Sequence, residues 1–179
     1  MIVYHGSNRN FKTLRISQSL VRYDSTLTNE GIGIYFSTDR NVSESYGKYL
    51  YTLELNDKYF KDFRKKTVCQ AHLKGLRQLI YKSEKLDLAN YIDLSSVANY
   101  MYFGGISIYR LSHEIELLLD SNEQWYRNSQ SKIQRVYRLA RQWDKNNLAA
   151  YMFNYNIKNV GVIKRVEPDI VRIASKIIV

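Results

Sequence analysis

The 179-residue sequence is poor in residues that constrain or interrupt a chain, with one cysteine, one proline and eight glycines. The single cysteine, Cys69, excludes an internal disulfide and a cysteine-rich metal site, and a lone thiol is most often buried as a small apolar side chain. No apolar run reaches the roughly 18 residues that span a membrane, and no basic-then-apolar secretory start is present. The sequence therefore predicts a cytoplasmic protein without a membrane partner.

Acidic residues are also in short supply, 17 against 27 basic ones, which leaves a net charge of +10. The excess lies mostly in residues 56–90, with nine basic and four acidic residues, and in residues 122–145, with six and two. Such segments can attract nucleic acid or an acidic protein, although charged helical faces are more often simply solvated. If the charge has a function, Arg135, Arg138 and Arg141 are the residues that we expect to bind a target.

Hydrophobic patterning changes along the chain from strand to helix and back to strand. Strand patterns occupy residues 1–5, 34–36, 49–55, 159–166 and 170–173. Helical patterns occupy residues 68–82, 94–102, 114–119 and 130–145. This arrangement predicts a single α+β domain, residues 1–179, with a helical insertion at about 66–150.

The first strand ends in Tyr4-His5-Gly6-Ser7. A glycine at a strand end lets another molecule approach the backbone closely, and imidazole can form hydrogen bonds with hydroxyl groups. A ligand could therefore lie against this edge, with the backbone of Gly6 paired to an amide. The alternative is that His5 is an ordinary strand-end histidine and Gly6 belongs to a turn, since isolated short motifs are weak signals.

A second segment places Tyr35 just after a turn that contains Gly31 and Gly33, and Tyr46 follows 11 positions later. Two tyrosine rings can sandwich a flat ring such as nicotinamide or a base. With 16 tyrosines in the chain, both rings could equally belong to the core. Between them, Ser37-Thr38-Asp39 offers N-cap chemistry for a short helix that runs toward Tyr46.

Together these segments resemble the ADP-ribosyltransferase fold of the diphtheria-toxin and poly(ADP-ribose) polymerase type. That class has a His-Gly-Ser/Thr strand, then a Tyr-Phe strand, then a helix that ends in a second tyrosine. The resemblance covers about residues 2–55, and small phage- and toxin-type members often continue as residues 49–55 do here. It implies a split, strongly bent sheet with an NAD cleft.

The resemblance assigns NAD contacts to six residues: His5, Gly6, Ser7, Tyr35, Ser43 and Tyr46. His5 would hold the adenosine-side ribose, and the backbone of Gly6 would grip the nicotinamide carboxamide. Ser43 would add a side-chain contact to that carboxamide, while Tyr35 and Tyr46 would bracket the ring. A gripped and stacked nicotinamide is a better leaving group, and alignment of the strained substrate supplies much of the catalysis.

The third element of the family is a glutamate at the start of a late strand, which binds the nicotinamide-side ribose and activates the acceptor. Here the late segment, residues 159–169, puts either apolar Val162 or Glu167 at that position, depending on the register. We expect Glu167 to act with His5 and Tyr35 in catalysis. If Val162 occupies the position instead, the acceptor must supply its own carboxylate, as in some mono-ADP-ribosyltransferases of this class.

Other candidate sites in the sequence are weaker. Glu114 and Glu116 match the acid-x-acid pair of another ADP-ribosyltransferase class, but the three leucines after them favour a helix, on which the two carboxylates diverge by about 200°. His72 and His113 have no metal-ligand spacing with a cysteine or paired carboxylates, so we expect no metal. The chain also lacks a phosphate-binding glycine loop.

The sequence thus indicates a mono-ADP-ribosyltransferase that uses NAD as substrate and modifies a macromolecule, with protein the first choice and nucleic acid open. By analogy alone, an effector, toxin or phage-borne factor that acts on a host target is the expected context. Two alternatives share the fold: an NAD hydrolase and an NAD-dependent RNA 2′-phosphotransferase. A further alternative is an inactive module that binds nucleic acid or an acidic protein partner.

Overall fold

The computed structural model describes residues 1–16, 30–122, 130–154 and 159–179. Within these ranges the chain contains both α-helices and β-strands and divides into two compact units. The first unit comprises Met1–Asp62 and Leu148–Val179 and holds the strands, and the second, Phe63–Asn147, is helical. The α+β class expected from the sequence is therefore confirmed.

Seven strands form the sheet of the first unit: β1 (Ile2–Ser7), β2 (Ile34–Ser37), β3 (Tyr49–Leu55), β4 (Phe60–Asp62), β5 (Ala150–Met152), β6 (Val160–Ile163) and β7 (Val171–Ile178). Their order is β4-β5-β6-β2-β1-β3-β7, and every neighbouring pair is antiparallel except β4 and β5. The His5 and Tyr35 segments therefore lie on adjacent strands in the interior of the sheet.

The first three strands fall where the hydrophobic pattern predicts them. The late strands differ: β6 ends at Ile163, short of the expected Val166, whereas β7 continues to Ile178. The short strands β4 and β5 flank the helical unit along the chain and were not predicted. At three residues each they are too short to give an alternating signal.

One face of the sheet, which we call the core face, packs a continuous apolar cluster. The strand β3 contributes Tyr51, Leu53 and Leu55 to this cluster, and β1 contributes Val3. All four side chains are almost fully buried. Directly paired residues on antiparallel strands share a face, so the pairs Val3–Leu53 and His5–Tyr51 lie on this side. Burial of each large apolar side chain contributes about 1.5–3 kcal/mol, so this cluster holds β1 and β3 in register.

The helical unit contains α2 (Lys66–Glu84), α3 (Leu94–Phe103), α4 (Leu111–Asp120) and α5 (Gln130–Asn147), while α1 (Arg40–Glu44) belongs to the sheet unit. The four helical patterns of the sequence are confirmed. Asp93 caps α3 by accepting from the backbone N–H groups of Ser95 and Ser96, and Gly104 ends it at a φ of 76°. None of the helices that the structure describes is long and apolar enough to cross a membrane.

Polar groups occur in the core of the helical unit. His72 Nε2 lies 3.3 Å from Asp144 Oδ1, and burial raises the pKa of Asp144 against the opposing hydrogen bond from His72. Cys69 is fully buried, and its thiol lies 3.4 Å from the carbonyl of Phe63, which confirms the structural thiol expected from the sequence. Glu114 and Glu116 lie on α4, so they do not share the strand face that an acid pair would need.

Gly161→Ala should destabilise the sheet unit by about 1–3 kcal/mol, the usual cost of overpacking a core. A Cβ at this position would lie 2.3 Å from Phe36 Cζ and 2.6 Å from the carbonyl oxygen of Tyr151. Urea unfolding measures the difference. Gly105→Ala is the control, because its Cβ would meet first the Tyr100 ring at 3.2 Å, which is exposed and can move. Equal stability of the Gly161 variant and the native chain would contradict the packing described.

Candidate functional site

The ladder between β1 and β2 is interrupted after a single pair. Tyr4 opposes Ser37, whereas β1 pairs with β3 along its whole length, from Ile2–Glu54 to Ser7–Tyr49. Continued in the same register, the next hydrogen-bonded pair between β1 and β2 would be Gly6 with Tyr35. That pair is absent from the ladder in the part of the chain that the structure describes, so the two strands separate at His5 and Gly6.

The direction of the backbone groups follows from the neighbouring ladder. Met1 and Leu55 exchange two hydrogen bonds, of 2.7 and 2.8 Å, so Met1 faces β3. Because the N–H and C=O groups of successive residues in a strand point to opposite sides, Tyr4 and Gly6 face β2. The N–H and C=O groups of Gly6 therefore point into the gap that opens between β1 and β2.

The ring of His5 takes the place of the missing backbone pair. Its Nδ1 lies 2.7 Å from the carbonyl oxygen of Tyr35, the acceptor that a continued ladder would have given to Gly6. A carbonyl oxygen accepts only, so His5 donates from Nδ1 and the neutral ring keeps Nε2 as an acceptor. Burial lowers the pKa of His5, and the hydrogen bond to Tyr35 opposes this effect in part. His5 is thus a neutral acceptor at pH 7.

Gly6 is required by the close approach of α1. A Cβ on Gly6 would lie 1.8 Å from the carbonyl oxygen of Ser43, so a side chain cannot be accommodated there. Ser43 is buried, and its hydroxyl donates to the carbonyl of Tyr4 at 2.8 Å. The helix itself starts at the N-cap Asp39, one of the three capping residues expected from the sequence. The Ser43 hydroxyl proton is therefore committed to β1, and its oxygen can only accept from a ligand.

The two tyrosines expected to bracket a flat ring lie toward the same side of the sheet. Tyr35 is on the face of Tyr4 and Gly6, which we call the α1 face, because Tyr4 and Ser37 are directly paired and Tyr35 is two residues from Ser37. Tyr46 follows α1, and its Cβ would lie 3.1 Å from a Cβ on Gly6. His5 leaves β1 toward the core face, near Phe11 and Tyr51.

Ser7 lies at the end of β1, opposite Tyr49. Its hydroxyl oxygen accepts from the backbone N–H of Arg9 at 3.1 Å and so shapes the turn that leaves the strand. In the structure, the Ser7 hydroxyl thus contacts only the neighbouring turn among the hydrogen bonds described. Its expected contact with NAD stays a prediction.

The late strand places Val162 directly opposite Tyr35, where the side chain is fully buried. Glu167 lies four residues beyond the end of β6, on an exposed turn, and forms an ion pair of 3.1 Å with Arg165. Its backbone carbonyl accepts from Ile170 and Val171 at the start of β7. Of the two positions left open by the sequence, the register therefore brings Val162 next to Tyr35, and the catalytic role of Glu167 stays a prediction.

A buried polar cluster on the α1 face was not found from the sequence. The hydroxyl of Tyr151 donates to Glu30 Oε2 at 2.8 Å, and Glu30 is 4 % exposed. Lys164 Nζ donates to the carbonyls of Glu30 and Ile32, both at 2.6 Å. Burial lowers the pKa of Lys164 to about 8, against the raising effect of the Glu30 charge. An acidic residue beside a glycine turn resembles a surface residue in the sequence, so no local signal marks it.

The arginines expected to bind a target lie on exposed positions of α5, whose opposite side buries Ile133, Val136 and Ala140. Two of them have partners within the helical unit: Arg135 Nε contacts Glu84 at 3.0 Å, and Arg141 contacts the Tyr137 hydroxyl at 3.1 Å. Arg138 lies between them and is exposed. The amphipathic helix predicted at residues 130–145 is confirmed, and its function in target binding stays a prediction.

Among the described residues, no group of three histidine, cysteine, aspartate or glutamate side chains is arranged to hold a metal ion. No protein-family model, characterised protein or solved structure matches this chain. The candidate site is therefore defined by the geometry of its own residues.

His5 should titrate below the ordinary histidine pKa of 6.5, and the neutral ring should carry its proton on Nδ1. The pKa in the folded protein is below the ordinary 6.5, so protonation favours the unfolded state and the free energy of unfolding should decrease as the pH falls through 6.5. Nitrogen-15 correlation spectra of the ring report the tautomer, and His5→Gln assigns the signal. A neutral ring with its proton on Nε2 would contradict the described hydrogen bond, and a pKa above 6.5 would contradict the described burial.

Proposed function

We propose that the sheet unit binds NAD at the gap between β1 and β2 and transfers its ADP-ribose to a macromolecular target, with release of nicotinamide. The observation that supports this most directly is the opened edge of Gly6, whose N–H and C=O groups point into the gap. A primary carboxamide offers a donor and an acceptor side by side, which matches the two groups of one strand residue.

The same geometry supports the remaining contacts of the proposed complex. His5 Nε2, as an acceptor, suits a ribose hydroxyl. Ser43 can accept from the carboxamide N–H groups, since its own proton is used by Tyr4. Tyr35 and Tyr46 lie toward the face of Gly6, where their rings can pack against nicotinamide.

The proposed reaction breaks the bond between the anomeric carbon of the nicotinamide-side ribose and the ring nitrogen of nicotinamide. The bonding electrons leave with nicotinamide, and the sugar acquires positive charge before a nucleophile on the target forms the new bond. The proton of that nucleophile passes to a base or to solvent. Nicotinamide held by Gly6 and the tyrosines departs in a fixed direction, so alignment supplies part of the rate.

The basic face of α5 is proposed to bring an acidic surface of the target to the enzyme, because complementary charge accelerates encounter. Arg138 is the member of this face for which the structure gives no committed partner in the described residues, whereas Arg135 and Arg141 contact Glu84 and Tyr137. We expect Arg138 to contribute most to target binding. Protein is the first expectation for the target.

Tyr35→Ala and His5→Ala should each weaken NAD binding, with a loss of about 1–3 kcal/mol for the tyrosine if stacking is its main role. Titration calorimetry with NAD measures the affinities. Tyr81→Ala is the matched control, since this tyrosine is 56 % exposed on α2. Unchanged NAD affinity in both site variants would contradict the proposal.

The reaction products distinguish the proposed transferase from the alternative functions. Incubation with labelled NAD and a cell lysate should attach label to a macromolecule. Free ADP-ribose as the sole product would indicate an NAD hydrolase, and ADP-ribose with an additional phosphate would indicate RNA 2′-phosphate transfer. A native protein that does not bind NAD would instead be an inactive module.

Arg138→Glu should reduce modification of the target several-fold at low ionic strength, and high salt should diminish the difference. NAD cleavage without target should stay at the native rate, because the substitution affects encounter and leaves the NAD contacts in place. Lys74→Glu on α2 is the control for net charge, since Lys74 is also exposed. Equal losses in the two variants would show that total charge, and not the α5 face, determines target recognition.

A further inference from the structure

Glu30 is the one acidic side chain that is buried in the sheet unit, counted over the residues of that unit that the structure describes. An isolated carboxylate is costly to remove from water, and buried ones are found with hydrogen-bond donors or cations. Here Tyr151 supplies a donor at 2.8 Å, and Lys164 supplies positive charge close by. The Tyr151 hydroxyl and the Lys164 charge thus stabilise a buried negative charge on this face of the sheet.

Two hydrogen bonds connect residues 30 and 31 to the row of side chains that includes Tyr35. Tyr151, Val162 and Tyr35 lie opposite one another on three adjacent strands and therefore share the α1 face. The hydroxyl of Tyr151 holds the carboxylate of Glu30, and the hydroxyl of Tyr35 donates to the carbonyl of the next residue, Gly31, at 2.7 Å. The row crosses three strands, and its outer two, β5 with Tyr151 and β2 with Tyr35, are about 10 Å apart. Residues 30–31 contact both ends of the row and therefore pass Val162, which lies between them.

The backbone that presents Glu30 is fixed from both sides. Lys164 Nζ holds the carbonyls of Glu30 and Ile32, and Tyr35 holds the carbonyl between them. Gly31 has a φ of 70°, the left-handed conformation that glycine adopts without strain, and this turns the chain between the two contacts. Tyr35 and Glu30 are therefore positioned by the same three-residue turn.

We infer that the Glu30 carboxylate faces the nicotinamide-side ribose of bound NAD and stabilises its positive charge during ADP-ribose transfer, in place of Glu167. The inference rests on the NAD-dependent function proposed above. As the bond to nicotinamide breaks and its electrons leave with the ring, positive charge develops on the sugar. A fixed carboxylate in a buried site stabilises such charge far more than one in water. Glu167, exposed and paired with Arg165, lacks that environment.

Glu30→Gln tests the inference, because the glutamine carbonyl can still accept from Tyr151 while the negative charge is lost. The rate of nicotinamide release from saturating NAD should fall about 10²- to 10³-fold. NAD affinity should stay within twofold, since the charge acts mainly in the transition state. Glu54→Gln is the matched control: Glu54 is also on the sheet, paired with Arg172, and its variant should keep the native rate.

Thermal unfolding of each protein shows whether it is folded. A second variant keeps the test decisive if Glu30→Gln does not fold. Tyr151→Phe keeps the carboxylate but removes the donor that holds it, so the rate should fall less than in Glu30→Gln, while Glu30→Asp should recover part of the lost activity. A native rate in Glu30→Gln, or in a folded Tyr151→Phe if the first variant does not fold, would overturn the inference. So would a large loss in Glu167→Gln with Glu30→Gln unaffected.

The two proposals fail in different ways. If the native protein neither binds nor cleaves NAD, the proposed function is wrong. If the native protein cleaves NAD and the Glu30 variants do so equally well, the function stands and the assignment of the carboxylate is wrong.

Discussion

A backbone carbonyl that a continuous ladder would pair with a backbone N–H is bonded instead to a histidine ring. The contact from His5 Nδ1 to the Tyr35 oxygen, 2.7 Å long, separates β1 from β2 while keeping them in one sheet. This hydrogen bond gives the Tyr35 carbonyl on β2 a partner. The N–H and C=O groups of Gly6 on β1 remain directed into the gap. Opening a sheet ladder removes backbone hydrogen bonds, which costs free energy. A side chain that replaces one of these bonds lowers that cost and so stabilises an open edge inside the sheet.

The strands beside the opening are held by packing that does not depend on the lost pair. On one side, β1 pairs with β3 over its full length and buries Val3 against Leu53 on the core face. On the other, α1 lies so close to Gly6 that no side chain fits, and Ser43 ties the helix to Tyr4. The glycine therefore has a structural reason in addition to its proposed contact with a ligand. The absence of a side chain at Gly6 allows the helix to approach.

Buried charge distinguishes the other part of the site. A sheet of this kind can be held together by its apolar faces, yet Glu30 and Lys164 are placed among buried side chains with Tyr151 and the Gly31 turn between them. Desolvation is evident in the pKa of Lys164, which falls to about 8 despite the nearby carboxylate. A buried carboxylate held by a tyrosine hydroxyl, beside a lysine whose pKa is strongly lowered, is a candidate functional group. This is the physical basis for assigning chemistry to Glu30.

The sequence by itself determined the local elements and the short motifs. The alternation in residues 49–55, the glycine turn before Tyr35 and the apolar period of residues 130–145 each depend on neighbours within one turn or strand, and each element is present. It also identified His5, Gly6, Tyr35, Ser43 and Tyr46 as a group, through a resemblance of consecutive segments. Only the tertiary structure decided which strands are neighbours and which acidic side chain of the sheet unit is buried. The pairing of Tyr35 with Val162, the exposure of Glu167 and the burial of Glu30 depend on strand order and register, which bring together residues more than 100 positions apart and leave no local pattern in the chain.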